Sequence, residues 1–367
     1  MNQLPGVDPT VGGHAPEASA PRPDVDGTDQ RSARAGTAPT LEAVAARAGV
    51  SRATVSRVVN GSPKVNPDSA AAVRQAIDEL GYFPNRAARS LASQRSHAVA
   101  LIVPEDTTRF LGDVFFASIV AGITSRLDQS DYVLTLMIAS QAPAGKMLHY
   151  LAGGAVDGAL VVSHHTSQHS LSQIGELMPV VFGGRSAISG LDAYVVDVDN
   201  VDGAATATQR LIDRGCRRIA TISGALSMNS SLDRVEGWRR ALDGAGLTPG
   251  PIVDGDYSMA GGTRAMRTIL ATYPDVDGVF VASDLMTTGA MPVALDRGLR
   301  IPQDIAMVGY DDSPAVEACE IPLTTVRQPS EDMGKEMADV LLSVLSGQTD
   351  RARTTILPTT LIVRESA

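Results

Sequence analysis

The sequence predicts two fold classes in one chain: an all-α helix-turn-helix headpiece, followed by a larger α/β region of parallel strands. Three observations carry this. Apolar residues recur at helical spacing on both sides of Gly49, short apolar runs alternate with helical stretches after Ser96, and basic charge gathers in the first region while acid gathers in the second.

In the first region Thr40 is a good N-cap, and Leu41, Val44, Ala45 and Ala48 fall on one helical face. Gly49 breaks the pattern, Ser51 supplies a second N-cap, and Val55, Val58 and Val59 form the apolar face of a second helix. Two short helices joined in this way form a helix-turn-helix, whose second helix enters the DNA major groove. The polar residues left facing outward on it are Arg52, Thr54, Ser56 and Arg57. An arginine there pairs with guanine O6 and N7, and hydroxyls suit phosphates. Either arginine alone would read as a solvated helix charge; the surrounding pattern assigns both to DNA. A third helix follows, and Pro84 introduces a fourth. Asn85 caps it, and Arg86, Ala87, Ala88, Arg89, Ser90, Leu91 and Ala92 favour helix. With so little apolar face, this helix is marginal on its own in water.

Charge follows the same division. The net charge of −10 over 367 residues argues at first against a nucleic-acid partner. Residues 40–96, however, carry eight Lys and Arg against four acidic groups, whereas the remainder of the core carries 20 against 32. Basic charge is concentrated where DNA would sit, and binding is expected to be salt-sensitive. The length allows two or three domains. Cys216 and Cys319 lie far apart and outside any CxxC pattern, which fits a reduced, cytoplasmic protein, and a DNA-binding headpiece would make it nucleoid-associated. No apolar run is long enough to span a membrane, and the N-terminus lacks the basic-then-apolar order of a secretory signal. Residues 1–39 are rich in Pro, Gly, Ala, Ser and Asp and read as a disordered tail.

After Ser96 strands are expected at Val99–Val103, Tyr132–Ile138, Gly158–Val162, Val180–Phe182, Tyr194–Val198, Ile219–Ile222, Gly278–Val281 and Ile305–Val308, with a final strand at Ile356–Val363. Strands alternating with helices predict parallel sheets, and ligands bind beyond their carboxyl ends. The residues there include Glu105-Asp106, Ser140, Ser163-His164-His165, Gly184-Arg185, Asp199, Ser223, Ser283-Asp284 and Asp311-Asp312. They are polar and suited to paired hydroxyls. Asp311 and Asp312 could instead cap a helix. Trp238 reads as helix packing. His164, His165 and His169 show no established metal spacing, and the glycine pair Gly261-Gly262 makes no GxGxxG loop, so no metal and no cofactor is expected.

The headpiece closely resembles that of the lactose-repressor (LacI) family of bacterial transcription regulators. The matching motifs are Thr40-Leu41, Val44-Ala45, Ala48-Gly49-Val50-Ser51, Thr54 through Gly61, Leu80-Gly81-Tyr82 and Pro84-Asn85-Arg86, and the likeness continues to about Arg364. The resemblance implies a homodimer on palindromic double-stranded operator DNA, controlled by a small effector, with a core of two periplasmic-binding-protein-like lobes. Beyond the tail at 1–39, which lies outside the resemblance, it implies domains at 40–84 (helix-turn-helix), 85–96 (hinge helix and linker) and 97–367 (effector binding and dimerisation). The lobes would be 97–197 with 330–354, and 198–329 with the C-terminal strand. Arg52, Ala53 and Arg57 match the base-reading positions, and Leu91 matches the leucine that the family's hinge helix wedges into the minor groove. The candidate DNA contacts are thus Thr40, Ser51, Arg52, Ala53, Thr54, Ser56, Arg57 and Asn60, with Asn85, Arg86, Arg89 and Leu91 in the hinge. In the core, Arg234, Asp311, Gln328, Tyr257, Phe115 and Phe116 match effector-pocket positions, and Ser283 stands where many sugar-binding members have Asn. His165 and Arg185 join them from the strand-end rule.

The function this implies is a repressor of sugar-utilisation genes, released from its operator by a sugar. The stretch Leu101–Phe116 is similar to actinobacterial cellobiose-responsive regulators. A corepressor-dependent regulator binding a purine or another small metabolite is the alternative within the class. An enzyme with an appended DNA-binding domain would need a nucleophile–base pair or a metal cluster, and neither is visible. A solute-binding protein is opposed by the headpiece. Leu91→Gly tests the hinge. Loss of the apolar wedge, together with Gly in a marginal helix, is expected to lower operator affinity and DNA bending while effector affinity stays unchanged. Gel-shift bending assays check this, and full bending with ordinary ligand-induced release would remove the hinge from the switch.

Overall fold

The computed structural model describes residues 39–59, 62, 64–82, 95–139, 144–165, 170–185, 193–348 and 350–367. Asn60, Asn85, Arg86, Arg89 and Leu91, and with them the hinge helix, lie outside the described residues, as do residues 1–38, Ser140 and His169. The chain divides into two compact units, residues 1–85 and 86–367.

In the first unit α1 (Leu41–Ala48) starts where the Thr40 hydroxyl accepts from the Ala43 N–H, and ends on Gly49 in the left-handed region at φ 66°. Only a residue without Cβ adopts that conformation at little cost. Helix α2 (Arg52–Val59) begins at Ser51, whose Oγ accepts from the Thr54 N–H at 3.2 Å. Helix α3 (Pro67–Leu80) is capped by Asn66 and closed by Gly81. Val44, Ala45, Val55, Val73, Ala76 and Tyr82 form the buried centre, ringed by Leu41, Val50, Val58, Val59 and Ile77. The apolar periodicity seen in the sequence is the core of a three-helix unit.

The second unit holds two six-stranded sheets. The first contains β1 (Ala98–Val103), β2 (Val133–Ile138), β3 (Gly158–Val162), β4 (Val180–Gly183), β5 (Tyr194–Val198) and, from the far end of the chain, β11 (Thr354–Leu357). Their order is β11-β5-β4-β3-β1-β2, all parallel. The second contains β6 (Ile219–Ser223), β7 (Ile252–Asp254), β8 (Gly278–Val281), β9 (Ala306–Asp311), β10 (Thr324–Arg327) and β12 (Thr360–Ile362). Their order is β12-β10-β9-β8-β6-β7, with β12 alone antiparallel. Central strands such as β1, β3 and β4 are buried along their whole length, as parallel strands covered by helices on both faces must be.

The covering helices of the first lobe are α4 (Thr107–Gly112), α5 (Val114–Leu127), α6 (Ala144–Ala152), α7 (Ser170–Leu177) and α12 (Ser330–Leu345). Those of the second are α8 (Asn200–Asp213), α9 (Asn229–Gly244), α10 (Met259–Thr272) and α11 (Asp284–Asp296). The chain therefore passes between lobes three times: from β5 to α8, from β10 to α12, and from β11 to β12.

The last crossing corrects the sequence reading, which took Ile356–Val363 as one strand of the second lobe. Pro358 has no N–H to continue a ladder, and the chain splits there. Thr354–Leu357 pairs with β5 in the first sheet, whereas Thr360–Ile362 pairs with β10 in the second. Strands β7 and β10, only three and four residues long, were not anticipated. Trp238 is fully buried in the second lobe's core, with α8 packed against its helix.

Helices α5 and α12 approach backbone to backbone. A Cβ on Gly122 would stand 1.9 Å from the Glu331 carbonyl oxygen, and one on Gly334 would stand 2.3 Å from that of Ile119. Ala gains about 1 kcal/mol of helix propensity over Gly, but here the overlap is with backbone, which cannot rotate away. Gly122→Ala is expected to destabilise the core by roughly 1–3 kcal/mol, read as a lower midpoint in thermal unfolding; an unchanged or higher midpoint would refute the close packing.

Candidate functional site

On the first unit, Arg52, Ala53 and Arg57 of α2 are exposed, with Ser51 at its start. The hydroxyls of Ser51 and Thr54 lie 2.9 Å apart, a cap that fixes the helix entry. Arg52 is also met by an acidic neighbour: its Nε lies 3.1 Å from Glu42 Oε1 on α1.

On the second unit a cavity lies between the lobes, at the carboxyl ends of both sheets. Eight of the nine sequence-predicted effector residues line it: Phe115, Phe116, Arg185, Arg234, Tyr257, Ser283, Asp311 and Gln328. Asp311 reaches it from the end of β9, and the others from loops and helices that follow strands. Its centre is Arg234, in the second turn of α9 and only 4% exposed. Burying a guanidinium is tolerable only if its donors are used. Nε donates to Asn200 Oδ1 at 2.9 Å, Nη1 to the Ala282 carbonyl at 2.6 Å, and Nη2 to Gln328 Oε1 at 3.3 Å. The planar group also stacks 3.7 Å from the Tyr310 ring centroid.

Asp311 stands 3.7 Å from Arg234 Nη1 and accepts from Gln328 Nε2 at 2.6 Å. Burial pushes its carboxyl up from the ordinary range, and the Arg234 charge opposes that. Asp311 and Asp312 do not cap a helix. Both have left-handed backbones, φ 117° and 53°, a conformation that persists only where surroundings over-determine it. The surroundings do so. Asp312 pairs with Arg327 and Arg364 at 2.7 and 2.6 Å. Behind the turn, fully buried Asp284 accepts from the Ser313 N–H and the Thr325 hydroxyl. Burial drives its own carboxyl up to about 7.

Tyr257 also has a left-handed backbone, at φ 57°. Its ring lies against Gly224, where a Cβ would come within 2.0 Å of ring carbons, so that position admits only Gly. Its hydroxyl accepts from Ser231 Oγ at 2.9 Å. The Ser283 hydroxyl accepts from the Met286 N–H at 3.2 Å and caps α11 while it lines the cavity. Phe116 belongs to the first lobe's core, with Phe115 edge-on to it at 5.4 Å.

His165 is the residue the structure places off the lining. Its Nδ1 lies 2.7 Å from Ser227 Oγ and its Nε2 3.2 Å from Glu105 Oε1, so its ring is taken up in a chain across the lobes. Its neighbour His164 faces the cavity instead, with Arg109, Asp113, Asp197, Asn200, Met228 and Asn229. The strand-end rule missed Arg109 and Asp113 because they lie on and after the short helix α4, several residues past β1. Burial raises the carboxyls of Asp113 and Asp197 above the ordinary range.

The lobes are latched together. Arg185 pairs with Asp233, Asn229 Nδ2 donates to the Arg185 carbonyl at 2.8 Å, and the Arg109 guanidinium lies 5.3 Å from the Tyr257 centroid. The cavity measures about 80 Å³, against ~300–1,000 Å³ for sites that hold drug-sized molecules. The cleft must widen to take a ligand of that size. Among the described residues no cluster of His, Cys, Asp and Glu could hold a metal, and no helix is long and apolar enough to cross a membrane.

Residues 40–85 match the family described as bacterial regulatory proteins, lacI family, and residues 208–367 match a periplasmic binding protein-like domain. The HTH-type transcriptional regulator CelR of Thermobifida fusca is 44% identical over 333 residues, which cover 89% of this chain and 98% of that protein. The chain belongs to the LacI family. Among solved structures, a transcriptional regulator CelR–cellobiose complex shares 43% identity and a TM-score of 0.72, covering 90% of this chain and all of that one. A lac repressor dimer bound to operator and the anti-inducer ONPF shares 29% identity and a TM-score of 0.79, covering 89% and 98%. This LacI-family member is accordingly a DNA-binding transcriptional regulator and not an enzyme.

Proposed function

We propose that this regulator is a cytoplasmic homodimeric repressor that holds a palindromic operator and lets it go when a sugar of the cellobiose class enters the cleft between its lobes. The observation that carries the reading is the buried Arg234–Asp311–Gln328 group beside the Tyr257 ring. Paired charged and amide groups engage neighbouring hydroxyls, and an aromatic ring covers an apolar sugar face. The likeness to a relative solved with cellobiose supports the same class.

On the DNA side, Arg52 and Arg57 read bases in the major groove, and Ser51, Thr54 and Ser56 lie near phosphates. Asn60, Asn85, Arg86, Arg89 and Leu91 belong to the same interface by their match to the family's motifs. Residues 40–84 serve as the DNA-binding domain, 85–96 as the hinge and 97–367 as the effector-binding core. A ligand shifts the balance between DNA-holding and released states only by binding one better than the other.

Operator binding titrated with a panel of mono- and disaccharides and purines tests the function. Release by cellobiose supports it, and tighter binding with a purine would replace it with a corepressor mechanism. Arg57→Ala is expected to cost roughly 1–3 kcal/mol of specific operator binding with effector affinity unchanged; an unaltered preference for operator over scrambled DNA would take Arg57 out of base reading. Arg234→Ala and Asp311→Ala are each expected to give a protein that binds operator but ignores the sugar, and normal sugar titrations in both would move the site elsewhere.

A further inference from the structure

The second lobe's polar atoms are largely paired with one another around Arg234. The first lobe's wall is different: two of its cavity residues each keep a buried polar atom without a partner among the described residues. His164 follows β3 and is 7% exposed. Its Nε2 lies 3.2 Å from the Arg185 carbonyl oxygen. A carbonyl only accepts, so the proton resides on Nε2 and Nδ1 presents a bare lone pair. Burial holds this imidazole below its usual range, which keeps it neutral and keeps Nδ1 an acceptor. The ring is fixed edge-on to Phe182 at 5.2 Å. Among the described residues Nδ1 is buried and has no hydrogen-bond partner.

Arg109 reaches the same cavity from α4. Its Nη1 pairs with Glu105 Oε1 at 3.2 Å and its Nη2 lies 3.8 Å from the Met228 sulfur. Its Nε is buried and likewise without a partner among the described residues. Two residues of the cavity lining therefore hold one acceptor and one donor that are already desolvated and unanswered among the described residues. A sugar hydroxyl is both donor and acceptor and answers such a pair, while an apolar ligand would leave both unsatisfied.

We infer that His164 and Arg109 are specificity-determining residues, forming a hydroxyl-reading subsite on the first lobe for the second ring of a two-ring sugar. This rests on the sugar-effector reading above and extends it from one ring to two. A monosaccharide held at Arg234 and Asp311 leaves this subsite unused, so the subsite sets the preference for disaccharide over monosaccharide.

The test is calorimetric titration of the full chain with cellobiose and with glucose. His164→Gln keeps an amide N–H where Nε2 meets the Arg185 carbonyl but offers no acceptor at Nδ1. His164→Asn does the reverse. Arg109→Lys retains the charge beside Glu105 and loses Nε. The expected result is that His164→Gln and Arg109→Lys each weaken cellobiose about tenfold or more beyond any loss of glucose affinity, with His164→Asn closer to the parent protein. Thermal unfolding reports whether each variant is folded. Unchanged cellobiose affinity in both His164→Gln and Arg109→Lys overturns the subsite. So does a greater loss in His164→Asn than in His164→Gln, which would make the ring a prop for the Arg185 carbonyl. If the parent protein binds operator but neither sugar, the sugar reading itself falls and the subsite with it.

Discussion

The buried charge of Arg234 is the constraint around which the second lobe is arranged. A guanidinium at 4% exposure is costly unless every face of it is answered. The answers come from four places in the chain: Asn200 at the crossing after β5, the Ala282 carbonyl after β8, Asp311 at the end of β9 and Gln328 after β10. Tyr310 closes the remaining face. One side chain thus ties two of the three inter-lobe crossings to the floor of the cleft. The strained Asp311–Asp312 turn is held from behind by Asp284, Arg327 and Arg364 because its carboxylate must meet that cation at a fixed point.

Much of this was legible in the sequence. The headpiece was readable because its caps and its apolar spacing are local: Thr40, Gly49 and Ser51 mark helix ends whatever surrounds them. The central strands were readable because burial on both faces leaves continuous apolar runs. What escaped depended on distant partners. Strand β7 has only Ile252, Val253 and Asp254 and is made a strand by pairing with β6. The break at Pro358 is small in the sequence, yet it sends the two halves of one expected strand to different sheets. At the cleft, the strand-end rule reached Arg185, Ser283 and Asp311. It led to His165 where the cavity is lined by His164, because the outcome depends on which ring Glu105 and Ser227 capture. Arg109 escaped because it is positioned by a helix after β1 rather than by the strand.

The headpiece and core solve opposite electrostatic problems. Exposed Arg52 and Arg57 keep their hydration, which makes them available to DNA at little cost. Even the Arg52–Glu42 contact is between exposed groups and worth little in water. In the core, Arg234 and Asp284 have lost their water and are held by designated partners. Charges of the first kind suit a surface that engages and releases a polyanion. Those of the second suit a site whose local geometry is set by protein partners rather than by solvent.

The exchange of strands at the end of the chain has a consequence for how the protein is made. The first lobe's core includes Met333, Met337 and Leu341, and its edge strand is β11; all of these lie beyond every element of the second lobe except β12. The second lobe in turn waits for β12. On the ribosome the three-helix headpiece has all its own contacts early, while both sheets stay short of an edge until residues 354–362 emerge. The two lobes therefore finish folding together rather than one after the other, and the DNA-binding unit is synthesised well before the part that controls it.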